Sequence, residues 1–274
     1  MAIATRFGYA LAGAIAGLAL TPAFAANMPL ASHRAVYDLS LLSSKGDNAP
    51  SSARGRIVFE FNGTACEGYA VTFRQVTEMQ SAEGETMVSD MRSTTFEEGD
   101  GNGLNFKIET TNNGGRPEVI DGRAVKSDGA LSLDLRSPSR EKLDLGTDVV
   151  FPTDQILRLV EAAKGGARTV DMNIFDGSDT GKKIYATLTV IGREASNPPS
   201  EKPAQIDAMK NVRRWPVVIS FFDTGKTSDT PNYTLGFDLY ENGVSGALRL
   251  DYGQFVLKGE LSALDMLASG ACEK

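Results

Sequence analysis

A single histidine, His33, and two cysteines, Cys66 and Cys272, are all that 274 residues offer of the side chains most used as metal ligands, bases and nucleophiles. A metal centre would have to be built from carboxylates, and no ligand-spaced cluster of them appears. A Ser-His-Asp site would have to use His33, and the Gly-x-Ser-x-Gly elbow of one hydrolase class is missing. So is Cys-x-x-Cys, the usual thiol-exchange pair. Basic charge is also short: 28 Lys and Arg face 35 Asp and Glu, for a net charge of −7. Nucleic acid and anionic lipid headgroups both ask for a basic face, so neither is an expected partner. Beyond the N-terminus there is no apolar run of about 20 residues, the length a membrane helix needs.

What is present begins with an address. Arg6 precedes an apolar run from Phe7 to Leu20, followed by Ala23-Phe24-Ala25. A charged start, an apolar middle and a small-x-small site form the pattern of a secretory signal peptide. Residues 1–25 are therefore read as a cleaved leader, and residues 26–274 as one mature domain. No cysteine follows the site, so a lipoprotein is not expected, and no twin arginine precedes it. Export changes the meaning of the cysteines, because a pair in an oxidising compartment usually forms a disulfide. A Cys66–Cys272 bridge would act as a structural staple around almost the whole chain.

Most of the remainder reads as strands. In Gly55–Met79, Ile57, Phe59 and Phe61 share one face, and Tyr69, Val71 and Phe73 share another. Period-two alternation of this kind marks half-buried strands, with Asn62-Gly63 as the expected tight turn and Cys66 beside it. Asp121-Gly122, Asp128-Gly129, Asp176-Gly177 and Asn242-Gly243 are read as further turns. Roughly a dozen strands follow from turn signals at intervals of about 8–12 residues, the spacing of an all-β fold. An outer-membrane barrel does not fit, because the strands are short and heavily charged on one face. One helix interrupts the series, over Asp154–Lys164, with Thr153 as its expected cap and Gly165-Gly166 as its stop. Ile156, Leu159, Val160 and Ala163 form its apolar face, so it is expected to pack across or inside a curved sheet.

An ordered set of short motifs then becomes informative. His33-Arg34-Ala35-Val36-Tyr37-Asp38-Leu39, Cys66-Glu67-Gly68-Tyr69 and Phe151-Pro152-Thr153 come first. Tyr240-Glu241-Asn242-Gly243-Val244, Leu250-Asp251-Tyr252-Gly253-Gln254-Phe255 and the terminal Cys272 complete it. The mature chain resembles the EipB family, periplasmic envelope-integrity proteins of Gram-negative bacteria. That resemblance implies an all-β fold with one central helix, a spiral-like, broken β-barrel of antiparallel strands. It also implies a Cys66–Cys272 disulfide and a role in the cell envelope, in an architecture similar to periplasmic lipoprotein carriers. It supplies no catalytic residues and no cofactor.

The expected function is thus non-enzymatic: a periplasmic monomer, not membrane-spanning, that supports envelope integrity by binding a lipid, lipoprotein, peptide or envelope protein. The aromatic stretch Trp215, Phe221, Phe222, Tyr233 and Phe237 is the candidate ligand groove, although any single ring in it is more often ordinary core. The alternative is an envelope hydrolase acting on peptidoglycan or lipid. For that reading Asp251 with Glu260, or Glu97, Glu98 and Asp100 in one turn, are carboxylate candidates no better than background. The last three are read as a solvated loop, or at best a weak calcium site.

Overall fold

The computed structural model describes residues 30–46, 49–224, 230–270 and 272. The leader read at residues 1–25 lies outside them. Strands β1 (His33–Ser44), β2 (Ser52–Thr64), β3 (Gly68–Gln80) and β4 (Thr86–Glu97) open a meander. It continues through β5 (Gly103–Asn112), β6 (Glu118–Ser127), β7 (Ala130–Ser137) and β8 (Glu141–Thr147). Next come β9 (Val149–Val150), helix α1 (Pro152–Lys164), β10 (Thr169–Ile174) and β11 (Tyr185–Ile191). The chain ends with β12 (Arg214–Asp223), β13 (Tyr233–Tyr240), β14 (Ser245–Asp251) and β15 (Phe255–Met266).

All fifteen strands belong to one sheet, ordered β8-β7-β6-β5-β4-β3-β2-β1-β15-β14-β13-β12-β11-β10-β9. Every pairing is antiparallel except β9 with β10. First and last strands therefore lie side by side in the middle, His33 opposite Met266. The outermost strands, β8 and β9, are separated by one residue, Asp148, which takes a left-handed φ of 57°. The chain steps from one edge of the sheet to the other there, and the sheet curls into a nearly closed barrel. The fold class is the expected one, with somewhat more strands than the turn count gave.

Helix α1 follows the step and lies inside the curl. Leu159, Val160 and Ala163 pack against Ile191, Trp215, Val217, Ile219, Phe237 and Leu239 of β11–β13. Ile156 and Leu157 reach the opposite wall at Leu30, Phe61 and Tyr69. The helix begins earlier than expected, with Pro152 in its first turn and Phe151 at the N-cap. Thr153 makes no side-chain cap. Its backbone N–H and its hydroxyl instead donate to the Glu97 carboxylate at the end of β4, at 2.9 and 2.7 Å. The orphan donors that every helix start carries are met here from across the barrel.

Two expected turns are strand interior. Asn62 and Gly63 pair with Ala70 and Tyr69, and the hairpin closes over Ala65, Cys66 and Glu67. Asp121 and Gly122 lie within β6, at a register shift against β7. The Cys66 turn is met by the C-terminal segment, and Cys66 and Cys272 are joined with Cα atoms 5.7 Å apart. The same segment is tied to the other end of the chain, since Leu267 N–H donates to the Ser32 carbonyl at 2.8 Å.

A second carboxylate holds the sheet from a loop. Glu201, between β11 and β12, accepts the Leu261 N–H at 2.6 Å and the Ala247 N–H at 2.8 Å. The β14–β15 ladder stops at Leu248 opposite Gly259, so the carboxylate takes over where direct pairing ends. Glu201→Ala is expected to cost about 2 kcal/mol, chiefly because the part-buried Leu261 N–H is stranded at a desolvation cost of roughly 1–3 kcal/mol, while the Ala247 N–H lies at an exposed position open to water. Glu201→Gln should recover less than half, since its amide end offers one of the two N–H groups a donor instead of an acceptor. Urea unfolding of the three proteins checks this, and coincident midpoints would remove the role given to Glu201.

Candidate functional site

Strand register decides which side chains face the hollow of the barrel. Phe59 of β2 pairs with Phe73 of β3, which pairs with Ser93 of β4. Because paired residues share a face, Phe59, Phe73, Met91, Ser93 and Thr95 all point inward. Across the hollow, Phe221 of β12 pairs with Tyr233 of β13, and Leu235 of β13 with Leu250 of β14. Between these walls lie two adjoining compartments of about 740 and 400 Å³. They share His33, Phe59, Phe73, Phe221, Leu235 and Leu248 as lining, so they form one cavity with a waist. The smaller is floored by α1 through Pro152, Thr153, Gln155 and Ile156. The larger reaches the exposed Asn232 and opens there.

A run of rings edges the larger compartment. Tyr185 meets Phe221 at 6.0 Å, Phe221 meets Tyr233 at 5.7 Å, and Tyr233 meets Tyr252 at 5.0 Å between centroids. The facing wall differs in chemistry: Ser89, Ser93 and Thr95 of β4 and Thr110 of β5 carry hydroxyls. At the waist, His33 is 2% exposed and its Nδ1 lies 2.7 Å from the Ala31 carbonyl. Nδ1 therefore carries the proton and donates, leaving Nε2 as an acceptor. Burial holds this imidazole below its ordinary pKa against the opposing pull of that bond, so it is neutral at pH 7. The amide nitrogen of Gln155, on the helix floor, is buried without a hydrogen-bond partner.

The β10–β11 loop adds Asp176 and Ser178 to the waist. Asp176 Oδ1 accepts the Ser178 N–H at 2.9 Å, which fixes the loop. Gly177 between them has φ 74°, and a Cβ there would sit 2.4 Å from the Phe106 ring. Any other residue would push the loop off that ring and away from the cavity.

The predicted groove residues divide. Phe221 and Tyr233 line the larger compartment, and Phe221 and Phe237 the smaller. Trp215 is buried beneath α1 in the packed core instead. Phe222 lies one residue from Phe221, on the other face of β12, and does not line the cavity. Missed altogether were the β2–β3 aromatics as cavity wall and the hydroxyl stripe of β4. The signal was in the sequence: Ser89, Met91, Ser93 and Thr95 alternate with Asp90, Arg92 and Thr94. A strand whose inner face is small and hydroxylated cannot be fully packed.

The carboxylate candidates are separated. Asp251 pairs with Arg249 at 3.0 Å and Glu260 with Lys258 at 2.7 Å, both at the surface. Glu98 pairs with Arg123 at 2.6 Å, and Asp100 accepts the Asn102 N–H at 2.9 Å. Glu97 is not part of a solvated loop: it is 2% exposed, facing the helix start. Burial raises its pKa, outweighing the Thr153 bonds, with Asp154 adding to the rise and Lys126 opposing it. Among the described residues, no three His, Cys, Asp or Glu side chains gather as a metal site. No described helix is long and apolar enough to cross a membrane.

Comparison with known proteins places the chain beside the following relatives. The family model described as EipB-like matches residues 24–268. The cell envelope integrity protein EipB of Brucella abortus (strain 2308) is 35% identical over 257 residues, 93% of this chain and 91% of that protein. A crystal structure of a β-barrel-like protein of a domain of unknown function, also from Brucella abortus, superposes with a TM-score of 0.82. It is 34% identical, and the match covers 88% of this chain and all of that one.

Proposed function

The chain belongs to the EipB-like family, and from that premise we propose that it supports cell-envelope integrity in the periplasm as a binding protein, not an enzyme. Its occupant is the acyl portion of an envelope lipid or lipoprotein. The observation that carries this reading is the cavity itself: two joined compartments, walled by Phe59, Phe73, Phe221, Leu235 and Leu248. A concave, mostly apolar space of a few hundred Å³ with sparse polar groups is what small-molecule binding needs. The signal-peptide pattern and the disulfide support an exported location. Among the described residues His33 has no acidic hydrogen-bond partner and Asp176 no paired carboxylate, which favours binding over hydrolysis.

Native mass spectrometry of protein purified from the periplasm without detergent tests the reading, alongside Met91→Trp. Met91 lines both compartments, so an indole there should fill the waist. The wild type is expected to carry a lipid-sized adduct, recoverable by solvent extraction, and the variant to lose it while keeping its melting temperature. A wild type without adduct, which also fails to take up any added acyl lipid, would sink the proposal and turn attention to protein partners.

A further inference from the structure

The charge pattern of the cavity points to a narrower ligand class. Among the described residues, neither compartment is lined by a lysine or an arginine. The one histidine at the waist is held neutral by burial. Asp176 is the one carboxylate among the described lining residues of either compartment, and it stands in both. Outside the lining, Lys183 lies 4.5 Å from the centroid of the Tyr185 ring. That ammonium is already paired with Asp179 and Asp223.

We propose that the cavity selects acyl compounds whose polar end is an uncharged ester or amide, and that Asp176 is the residue that turns anionic lipids away. This rests on the lipid-binding reading above. A carboxylate or phosphate drawn into the hollow would lose its water, find no cation among the described lining residues and face the Asp176 carboxylate. Such a group is expelled or protonated. An ester or amide carries no such penalty and needs only neutral partners. The lining provides them: the His33 acceptor, the hydroxyls of Ser89, Ser93 and Thr110, and the Gln155 side chain. The Gln155 amide nitrogen is unbonded as it stands, and a half-turn of the terminal torsion exchanges its donor and acceptor without changing shape.

Two lipids with the same chain make the test: monopalmitoylglycerol, a neutral ester, and palmitate, an anion. Binding to the delipidated full mature chain is measured by calorimetry at pH 8. The ester is expected to bind at least about tenfold more tightly than palmitate, a difference of about 1.4 kcal/mol. Asp176→Asn keeps the oxygen that accepts the Ser178 N–H and removes the charge. It should strengthen palmitate binding several-fold and leave the ester within about threefold, a change near the scatter of such contacts. Asp176→Lys should reverse the preference. Circular dichroism and melting curves confirm that each variant is folded. Equal affinities in the wild type, or a preference that neither variant moves, would overturn the role of Asp176 while leaving lipid binding intact. Binding of neither lipid would overturn the lipid reading itself.

Discussion

Replacing Cys66 and Cys272 together by serine is expected to lower the melting temperature by roughly 10 °C while leaving the β-sheet circular dichroism in place. The bridge spans 206 residues. For a loop of that size the chain-entropy argument gives about 5 kcal/mol, an upper figure because denatured chains keep some structure. A protein of this length shifts by about 2–4 °C for each kcal/mol. The fold survives because the bridge lies outside the sheet: Cys66 is in the β2–β3 turn and Cys272 is past the end of β15. What loosens is the segment after Met266, still tied by Leu267 to Ser32. Protease nicking of the C-terminal tail should therefore precede loss of the barrel. Melting wild type with and without reductant gives the same comparison without mutation. Coincident curves would show that the bridge contributes nothing.

Glu97 is expected to produce the second large effect, with a sign that depends on pH. Glu97→Ala removes the acceptor for the Thr153 N–H and hydroxyl, both buried. The expected cost is about 3 kcal/mol, from two donors left dry at roughly 1–3 kcal/mol each. Glu97→Gln behaves differently. One carbonyl oxygen can accept both donors, and the amide carries no charge to desolvate. The folded-state pKa of Glu97 is raised above its unfolded value, chiefly by burial. Native protein therefore holds this proton in a range where the unfolded chain has lost it. Wild-type stability falls as pH rises from the ordinary glutamate value through the raised one, and levels off above. Glu97→Gln should match wild type below that window and exceed it above. Lys126, Asp154 and the helix start also face this carboxyl, and Lys126 itself is pushed down by burial. Denaturant midpoints from pH 4 to pH 8 decide the matter. A Gln variant less stable than wild type at pH 8 would mean that the ionised carboxylate is the preferred cap.

Where local patterning controlled structure, the sequence was a good guide. Alternation in Gly55–Met79 located β2 and β3 correctly, and Asn242-Gly243 does connect β13 to β14. The signal-peptide pattern, read as export, was enough to expect the Cys66–Cys272 bridge that the structure has. Errors arose where a distant residue overrode a local preference. Asn62-Gly63 is an ideal two-residue turn, yet the ladder continues past it to Thr64 opposite Gly68. Thr153 has the right chemistry for a cap, but Glu97 of another strand reaches the helix first. β8 has little sequence signal, because Glu141–Thr147 mixes charge with few apolar residues, as suits a strand at the sheet edge. In the site, Phe221 and Phe222 are indistinguishable by composition, and only register says which faces inward. Trp215 has the aromatic character of a groove residue and the burial of a core one. The cavity depends on sheet closure, which no single stretch of sequence encodes.

The adjacency of β1 and β15 bears on how the molecule is made. Strands β1 to β8 form one meander and β10 to β15 another, each assembled from neighbours in the chain. The two halves become one sheet only through β1 and β15, the earliest and the latest strands to be made; in the exported protein proposed above they would also be the first and last to cross the membrane. Each half can zip up as it emerges, since local contacts form fast. The barrel cannot close until residue 266 has been delivered. Until then β1 exposes a bare edge along its length, an invitation to chaperones and to aggregation alike. The native sheet thus registers a chain delivered to its last strand, and the disulfide formed a few residues later locks in that record.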